Sequence, residues 1–318
     1  MCFGNKVPSI QTRFIDGHLI ITDIKRNDPT TIELKVGDEI VQIDKDKLDK
    51  RIQFLRQHTS KSNENVFLRD AALELGFTRN DPVDITFKRE RDTSKTMVST
   101  LFLGSYYSWI DTINPVGFCF PEDSIGYIVA KNVNQSNAND VIERIHKASA
   151  LIVDLRHASY NEFYQIAMDL LVANNTEFAI LTCPVKKMPG LFEQKRMRTQ
   201  VYAGTKFSGK IVVLVDETTQ SHGEYLTMLL QSNSNVTVIG SQTAGADGDV
   251  TNIYLPGKVT MMFSTFGVYY PNGKGAQRVG VAIDKVVTPT IQGVIDRKDE
   301  LLEYALLIIK KEDASTSH

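Results

Sequence analysis

The strongest constraint in this sequence is a series of short apolar blocks between residues 125 and 240, separated by segments of helical spacing. Ile125-Gly126-Tyr127-Ile128-Val129, Ala150-Leu151-Ile152-Val153-Asp154-Leu155, Phe178-Ala179-Ile180-Leu181, Ile211-Val212-Val213-Leu214-Val215 and Val236-Thr237-Val238-Ile239-Gly240 are each strand-sized. A strand that is apolar on both sides is buried on both sides, so a sheet covered by helices on at least one face is expected. The covering helices are expected at Ala138 to Ala148, Phe163 to Ala173 and Glu224 to Ser232. A closing helix from Asp299 to Lys311 carries Leu301, Leu302, Ala305, Leu306 and Ile309 on one stripe, and the polar tail after it is expected to fray. The pattern is that of an α/β domain.

The first hundred residues follow a different rule. The turn signal Asp16-Gly17 leads into Leu19-Ile20-Ile21-Thr22-Asp23-Ile24, and Gly37-Asp38 leads into the alternating run Glu39-Ile40-Val41-Gln42-Ile43. Asp81-Pro82-Val83-Asp84-Ile85-Thr86-Phe87-Lys88-Arg89 is a second alternating strand. Leu48 to Leu55 and Val66 to Leu75 carry helical spacing, with Thr59 to Asn65 as a loop. At about 150 residues per domain, a chain of 318 residues divides into roughly two domains. The expected division is 1–100 and 101–318.

Charge and cysteines remove several functions. With 36 Lys+Arg against 38 Asp+Glu the chain lacks the cationic surplus that nucleic-acid binding requires. No apolar run approaches the roughly 18 residues of a membrane span. Cys2, Cys119 and Cys183 are too few and too far apart for a disulfide framework or a CxxC site, and Cys119 and Cys183 are expected to be buried. The amino terminus has no basic region followed by an apolar stretch, so no secretory signal is visible and localisation stays open.

The chemistry concentrates in Lys210 to Val250, "KIVVLVDETTQSHGEYLTMLLQSNSNVTVIGSQTAGADGDV". An apolar strand ends in a polar turn and a helix starts at Ser221. A serine there lies beside the unpaired N–H groups of a helix start, which can stabilise an oxyanion. The same four residues, Ser221-His222-Gly223-Glu224, also form an S-x-x-E capping box, a purely structural device. Spacing alone favours the cap and does not decide for catalysis.

The order of segments along the chain does. "LIITDI", "LKVGDEIVQID" and "VDITFKRER" look like a PDZ domain, in which a Gly-Asp turn leads into a central strand. Followed by "ALIVDLR", "GKIVVLVDETTQSHGEY", "VIGSQTAGADGDV" and "YYPNGKGAQRVGVAIDKVVTPT", the whole resembles the C-terminal processing (tail-specific) serine peptidases. The resemblance runs from about residue 10 to 310. It implies a crotonase-like (ClpP/crotonase-type) α/β peptidase core with an N-terminal PDZ-like β-rich domain that recruits polypeptide substrates or their C-terminal segments. It also implies hydrolysis through an acyl-enzyme with Ser221 as the nucleophile, no metal, no organic cofactor, and an extracytoplasmic compartment if the chain is a trimmed piece.

Two departures define what is unusual. The family's lysine base follows the glycine of a T-x-G-K element, whereas Thr243-Ala244-Gly245 is here followed by Ala246. The family's glycine-rich turn after D-L-R is replaced by His157-Ala158-Ser159-Tyr160-Asn161. The resemblance extends to a branch that carries "TAGADG" in place of T-x-G-K. Alanine accepts no proton, so a replacement base is needed. His157, near the expected oxyanion turn, is the first candidate, and His222, one residue from Ser221, the second; otherwise His222 is an exposed first-turn residue. Asp247 and Asp249 are placed to tune such a histidine. Gly245, Ala246, Tyr269 and Arg278 are the candidate substrate-binding residues, Arg278 by holding a carboxylate. Lys186 to Arg198 is expected to be a solvated basic loop. The expected activity is that of a serine-type endopeptidase. Ala246 motivates an alternative, a silent peptide-binding scaffold, and the shared fold a weaker one, an acyl-CoA enzyme.

Overall fold

The computed structural model of the protein describes residues 3–110, 117–122, 124–157 and 161–316, and the side chains of these except 161 and 312–316. The chain divides into two compact units: Met1–Pro115 with Thr288–Glu300, and Val116–Val287 with Leu301–His318.

The first unit is an antiparallel sheet in the order Ile10–Ile15, His18–Ile24, Glu39–Ile43, Val83–Arg89 and Asp92–Val98. Its alternation is the one read from the sequence: Val83, Ile85 and Phe87 are buried while Lys88 is exposed. The helices Leu48–His58 and Glu64–Glu74 complete the core, supplying Leu55, Phe67 and Ala71. The Gly37-Asp38 turn is locked because buried Asp38 accepts from the Lys35 N–H and from both Nε and Nη2 of Arg89, each at 2.7 Å. Gly37 is required there, since its φ of 97° suits glycine and a Cβ would lie 2.4 Å from Ile295.

This unit continues past residue 100. Thr100–Phe102 pairs with Lys6–Pro8, and Tyr106 of the following helix Leu103–Ile110 packs with Val7 and Phe77. That cohesion comes from contacts between the two ends of the segment, which no local pattern reveals.

The second unit is built on a six-stranded sheet in the order Lys285–Val286, Val236–Gly240, Lys210–Val215, Ala150–Asp154, Ile125–Val129 and Phe118–Glu122. All pairs are parallel except the last. Period-two alternation splits the apolar blocks between two cores. Leu151, Val153, Ile211, Val213 and Val238 face one core with the helix His222–Leu230, whereas Ile152, Val212, Leu214 and Ile239 face Leu301, Ala305 and Ile309. Both faces are buried, as continuous apolar strands require.

Four expectations need correction. Phe178–Leu181 belongs to a longer strand, Glu177–Pro184, in a separate antiparallel sheet between Phe192–Arg198 and Gly267–Tyr269. The supposed basic loop therefore contains a strand, whose charged and exposed residues give it no apolar alternation. The terminal helix Glu300–Thr316 runs into the polar tail expected to fray. Of the cysteines, Cys183 is buried but Cys119 only half-buried, and Cys2 lies outside the described residues.

Candidate active site

Three chain segments meet where the parallel strands end. Ala150–Asp154 runs into Leu155-Arg156-His157, Lys210–Val215 into Asp216 to Gln220, and Val236–Gly240 into Ser241 to Gly248. Buried Thr219 joins all three: its hydroxyl donates to the Leu155 carbonyl at 3.0 Å, and its own carbonyl accepts from the Ala244 N–H at 3.0 Å. The D-L-R run closes on itself, with Arg156 Nη2 donating to Asp154 Oδ2 at 2.7 Å.

Ser221 ends the second segment in a conformation rarely adopted by an L-residue, φ 52° and ψ −116°. Holding a non-glycine residue there costs on the order of 1–3 kcal/mol and persists only where surroundings over-determine it. The surroundings are those of Glu224. Its fully buried carboxylate accepts from the Ser221 N–H at 3.2 Å, Thr243 Oγ1 at 2.6 Å, the Gly245 N–H at 2.7 Å and the Ala246 N–H at 2.9 Å. The S-x-x-E capping box is present, and Glu224 also holds the T-A-G-A loop.

This bonding locates Ala246. Its N–H and that of Ser221 reach the same Glu224 oxygen, so the sum of the two distances, 6.1 Å, bounds the separation of their nitrogens. Ala246 thus lies next to the serine. Gly245 and Ala246 are candidate substrate-binding residues, and their amides are spent on Glu224. Gly245 itself cannot change: its φ is 60° and a Cβ would stand 2.7 Å from the backbone of Arg278, whose N–H donates to the Gly245 carbonyl. Arg278 is exposed, and no ion pair engages it among the described residues. Tyr269 lies in the strand opposite Ile180, within the three-stranded sheet. Its neighbour Tyr270 bridges Gln231 and the Ala282 N–H at 2.9 and 2.8 Å, a packing role.

The two histidines differ. His157, at φ 65°, anchors its N–H on Thr218 Oγ1 at 2.9 Å, three residues before Ser221. Its side chain keeps an exposed edge, yet the surrounding protein desolvates the imidazole enough to lower its pKa, against the opposing pull of Asp216. His222 is half-buried, not an exposed first-turn residue. Its ring stacks at a tilt on Tyr164, 5.1 Å between centroids, its buried Nε2 has no hydrogen-bond partner among the described residues, and burial lowers its pKa. The His222 backbone N–H, at the first helical position, also lacks a partner among the described residues. The turn Ala158-Ser159-Tyr160 lies outside the described residues.

Asp247, in a run whose spacing reads as a tight turn or as a place to tune a histidine, is more unusual than either. It is 5% exposed, its Oδ1 accepts from the Gly248 N–H at 2.7 Å, and its Oδ2 is buried without a partner among the described residues. Burial, assisted by the charge of Glu224 and opposed by the Gly248 bond, pushes its pKa up to about 7. The signal in the sequence was faint, because D-G-D most often marks a turn. No group of three or more His, Cys, Asp or Glu among the described residues is arranged to hold a metal ion.

Residues 124–287 match the model of peptidase family S41, a little over half of the chain. The chain belongs to peptidase family S41. Among solved structures, this S41 chain is similar to mature CPAF complexed with lactacystin, with a TM-score of 0.71 at 14% identity, covering 96% of this chain and 82% of that one. It is also similar to a putative peptidase from Parabacteroides merdae, with a TM-score of 0.53 at 16% identity over 84% of this chain and 90% of the other. A putative S41 protease from Bacteroides fragilis gives a TM-score of 0.51 at 14% identity, covering 98% and 84%. These likenesses establish an S41 protease fold. No curated protein matches the sequence.

Two outcomes follow from the carboxylates. Glu224→Gln substitutes an N–H donor for an oxygen that faces N–H donors, so a loss of roughly 2–4 kcal/mol in urea unfolding is expected. For Asp247 the folded pKa of about 7 exceeds the ordinary 3.8, so the folded state binds the extra proton between those values. The wild type therefore loses stability as pH rises through that window, by up to about 4 kcal/mol if nothing compensates. Asp247→Asn is expected to remove that pH dependence; a wild-type-minus-variant difference that stays flat from pH 4 to about 8 contradicts it.

Proposed function

We propose that this protein is a serine-type endopeptidase of the tail-specific kind, hydrolysing polypeptide substrates with Ser221 as its nucleophile. The observation that carries the reading is the backbone of Ser221, held at positive φ where an apolar strand turns into a helix. Strained strand-to-helix turns of this kind present a serine hydroxyl at the end of a sheet, beside a helix-start amide. Ser221 Oγ attacks the scissile carbonyl carbon, and its proton passes to His157. The carbonyl oxygen becomes an oxyanion that the His222 N–H stabilises. Collapse expels the amine, which takes the proton, and leaves an acyl-serine that water then hydrolyses.

His157 is the preferred base because its lowered pKa keeps the imidazole neutral at pH 7, and Asp216 is the acidic neighbour that steadies the imidazolium as it forms. The lysine at the position of Ala246 in related enzymes has no counterpart here, which favours a histidine route over an amine. The first unit, with Ile10–Ile15 as an edge strand whose outer side pairs with no strand among the described residues, is PDZ-like and would capture an extended C-terminal segment by adding it to a sheet edge. Gly245, Ala246, Tyr269 and Arg278 remain the candidates for lining the substrate path, with Arg278 as the available cation.

Cleavage of an unfolded protein substrate tests this. Ser221→Ala is expected to lower the rate at least about a thousandfold, and His157→Gln by a similar order, while both remain folded. Wild-type activity should fall as pH drops through the lowered imidazole pKa, below 6.5. Equal activity in Ser221→Ala overturns the nucleophile. Tight binding of peptides with no cleavage by the wild type supports the silent-scaffold reading that Ala246 motivates.

A further inference from the structure

Two neighbouring threonines join the turn that leads to Ser221 to the loop that carries His157. Thr219 Oγ1 accepts from the Asp216 N–H at 3.1 Å and donates to the Leu155 carbonyl at 3.0 Å. Thr218 Oγ1 accepts from the His157 N–H at 2.9 Å and donates to Asp216 Oδ1, which also accepts from the Thr218 N–H at 2.8 Å. A hydroxyl has one proton, and a carboxylate can only accept it. Buried Asp216 therefore claims the Thr218 proton and leaves that oxygen's lone pairs to the His157 N–H. A bond to a charged acceptor is roughly twice as strong as a neutral one, so this polarity is firmly set.

The two hydroxyls grip the chain on either side of Arg156, at the Leu155 carbonyl and at the His157 N–H. Arg156 itself is fastened to Asp154 Oδ1 by its N–H and its Nε, each at 2.9 Å. The grip ends at His157, where φ reaches 65°, a region that non-glycine residues seldom occupy. Fixing this backbone fixes where the imidazole starts from, and the turn that does so carries Ser221 three residues after Thr218. The two grips differ in kind. Thr219 is fully buried, so its hydroxyl belongs to the hydrogen bonding of the fold. Thr218 is half-buried and His157 exposed, so water would satisfy that N–H at little cost. What Thr218 supplies beyond water is a fixed direction.

We infer that Thr218 is a positioning residue for His157, seating the imidazole relative to Ser221 through a hydrogen bond whose polarity Asp216 dictates. The inference rests on the peptidase reading above, in which His157 takes the serine proton. Burial lowers the imidazole pKa most; Asp216 and Asp154 oppose it, and Lys131 and Arg156 add to it. A substitution at Thr218 removes none of these charges, so a moved titration reports a changed seat for the ring.

Thr218→Val, which keeps the shape and loses both side-chain bonds, and Thr218→Ser, which keeps both, test this in the full chain. The imidazole is followed by proton NMR of its C2–H, assigned by its absence from His157→Gln. Thr218→Val is expected to release the ring toward water and move its midpoint up toward the ordinary 6.5, the acid limb of kcat moving with it. Its kcat on an unfolded polypeptide should fall about tenfold to a hundredfold, with KM within about threefold. Thr218→Ser should keep the wild-type midpoint and a kcat within about threefold of wild type. In the wild type the His157 amide should exchange at least about a hundredfold slower than an unbonded amide. An unmoved midpoint or an unchanged kcat in Thr218→Val overturns the inference, even where stability falls. So does a His157 amide that exchanges freely, a readout that stands should Thr218→Val not fold. A wild type that cleaves no polypeptide removes the peptidase reading separately; the midpoint then decides the seat alone, supporting it by moving and overturning it by standing still.

Discussion

Glu224 has two oxygens and four donors aimed at them, from Ser221, Thr243, Gly245 and Ala246, in a place water does not reach. Desolvation raises the pKa of such a carboxylate, and its four hydrogen bonds pull the other way. The bonds have a geometric consequence. They fasten the turn that carries the serine to the loop after the next strand, so Ser221 keeps a backbone conformation that it would abandon on its own. Thr219 makes a second tie between the same loops through Leu155 and Ala244. What looks like a helix cap in sequence is thus the fixture on which the candidate site is assembled.

The same fixture places Ala246, where the resemblance read from the sequence leads one to expect a lysine. Ala246 remains within about two bond lengths of the Glu224 carboxylate and near Ser221, but its side chain offers no proton acceptor. Among the groups of this unit with altered acidity are His157, His222 and Asp247, each shifted chiefly by burial. Burial lowers the two imidazoles and raises the carboxyl, so all three favour their neutral forms. A neutral imidazole is a competent proton acceptor; a neutral carboxyl is not, which separates His157 and His222 from Asp247 below pH 7.

The central sheet was legible because its strands are apolar without interruption, and each of the blocks at Ile125, Ala150, Lys210 and Val236 became a strand of it. Ser221 at a strand-to-helix junction was legible for the same reason, since the strand and helix on either side are strongly patterned. What stayed hidden depended on distant partners. The Phe192–Arg198 strand is charged and exposed, and only its pairing with Glu177–Pro184 makes it a strand. A two-stranded hairpin, Val250–Leu255 with Val259–Ser264, alternates on one face, but Thr, Asn and Ser dilute the pattern, and the protein core does not cover it. The unpartnered oxygen of Asp247 is a property of packing that no spacing announces.

The reactivity of the Ser221 hydroxyl is most directly measured with a fluorophosphonate probe, followed by mass spectrometry to locate the adduct. The expected result is a single adduct on Ser221, absent from Ser221→Ala and slowed when the protein is held at low pH. A wild type that remains unlabelled, or labelling that persists unchanged in Ser221→Ala, contradicts an activated serine at this site.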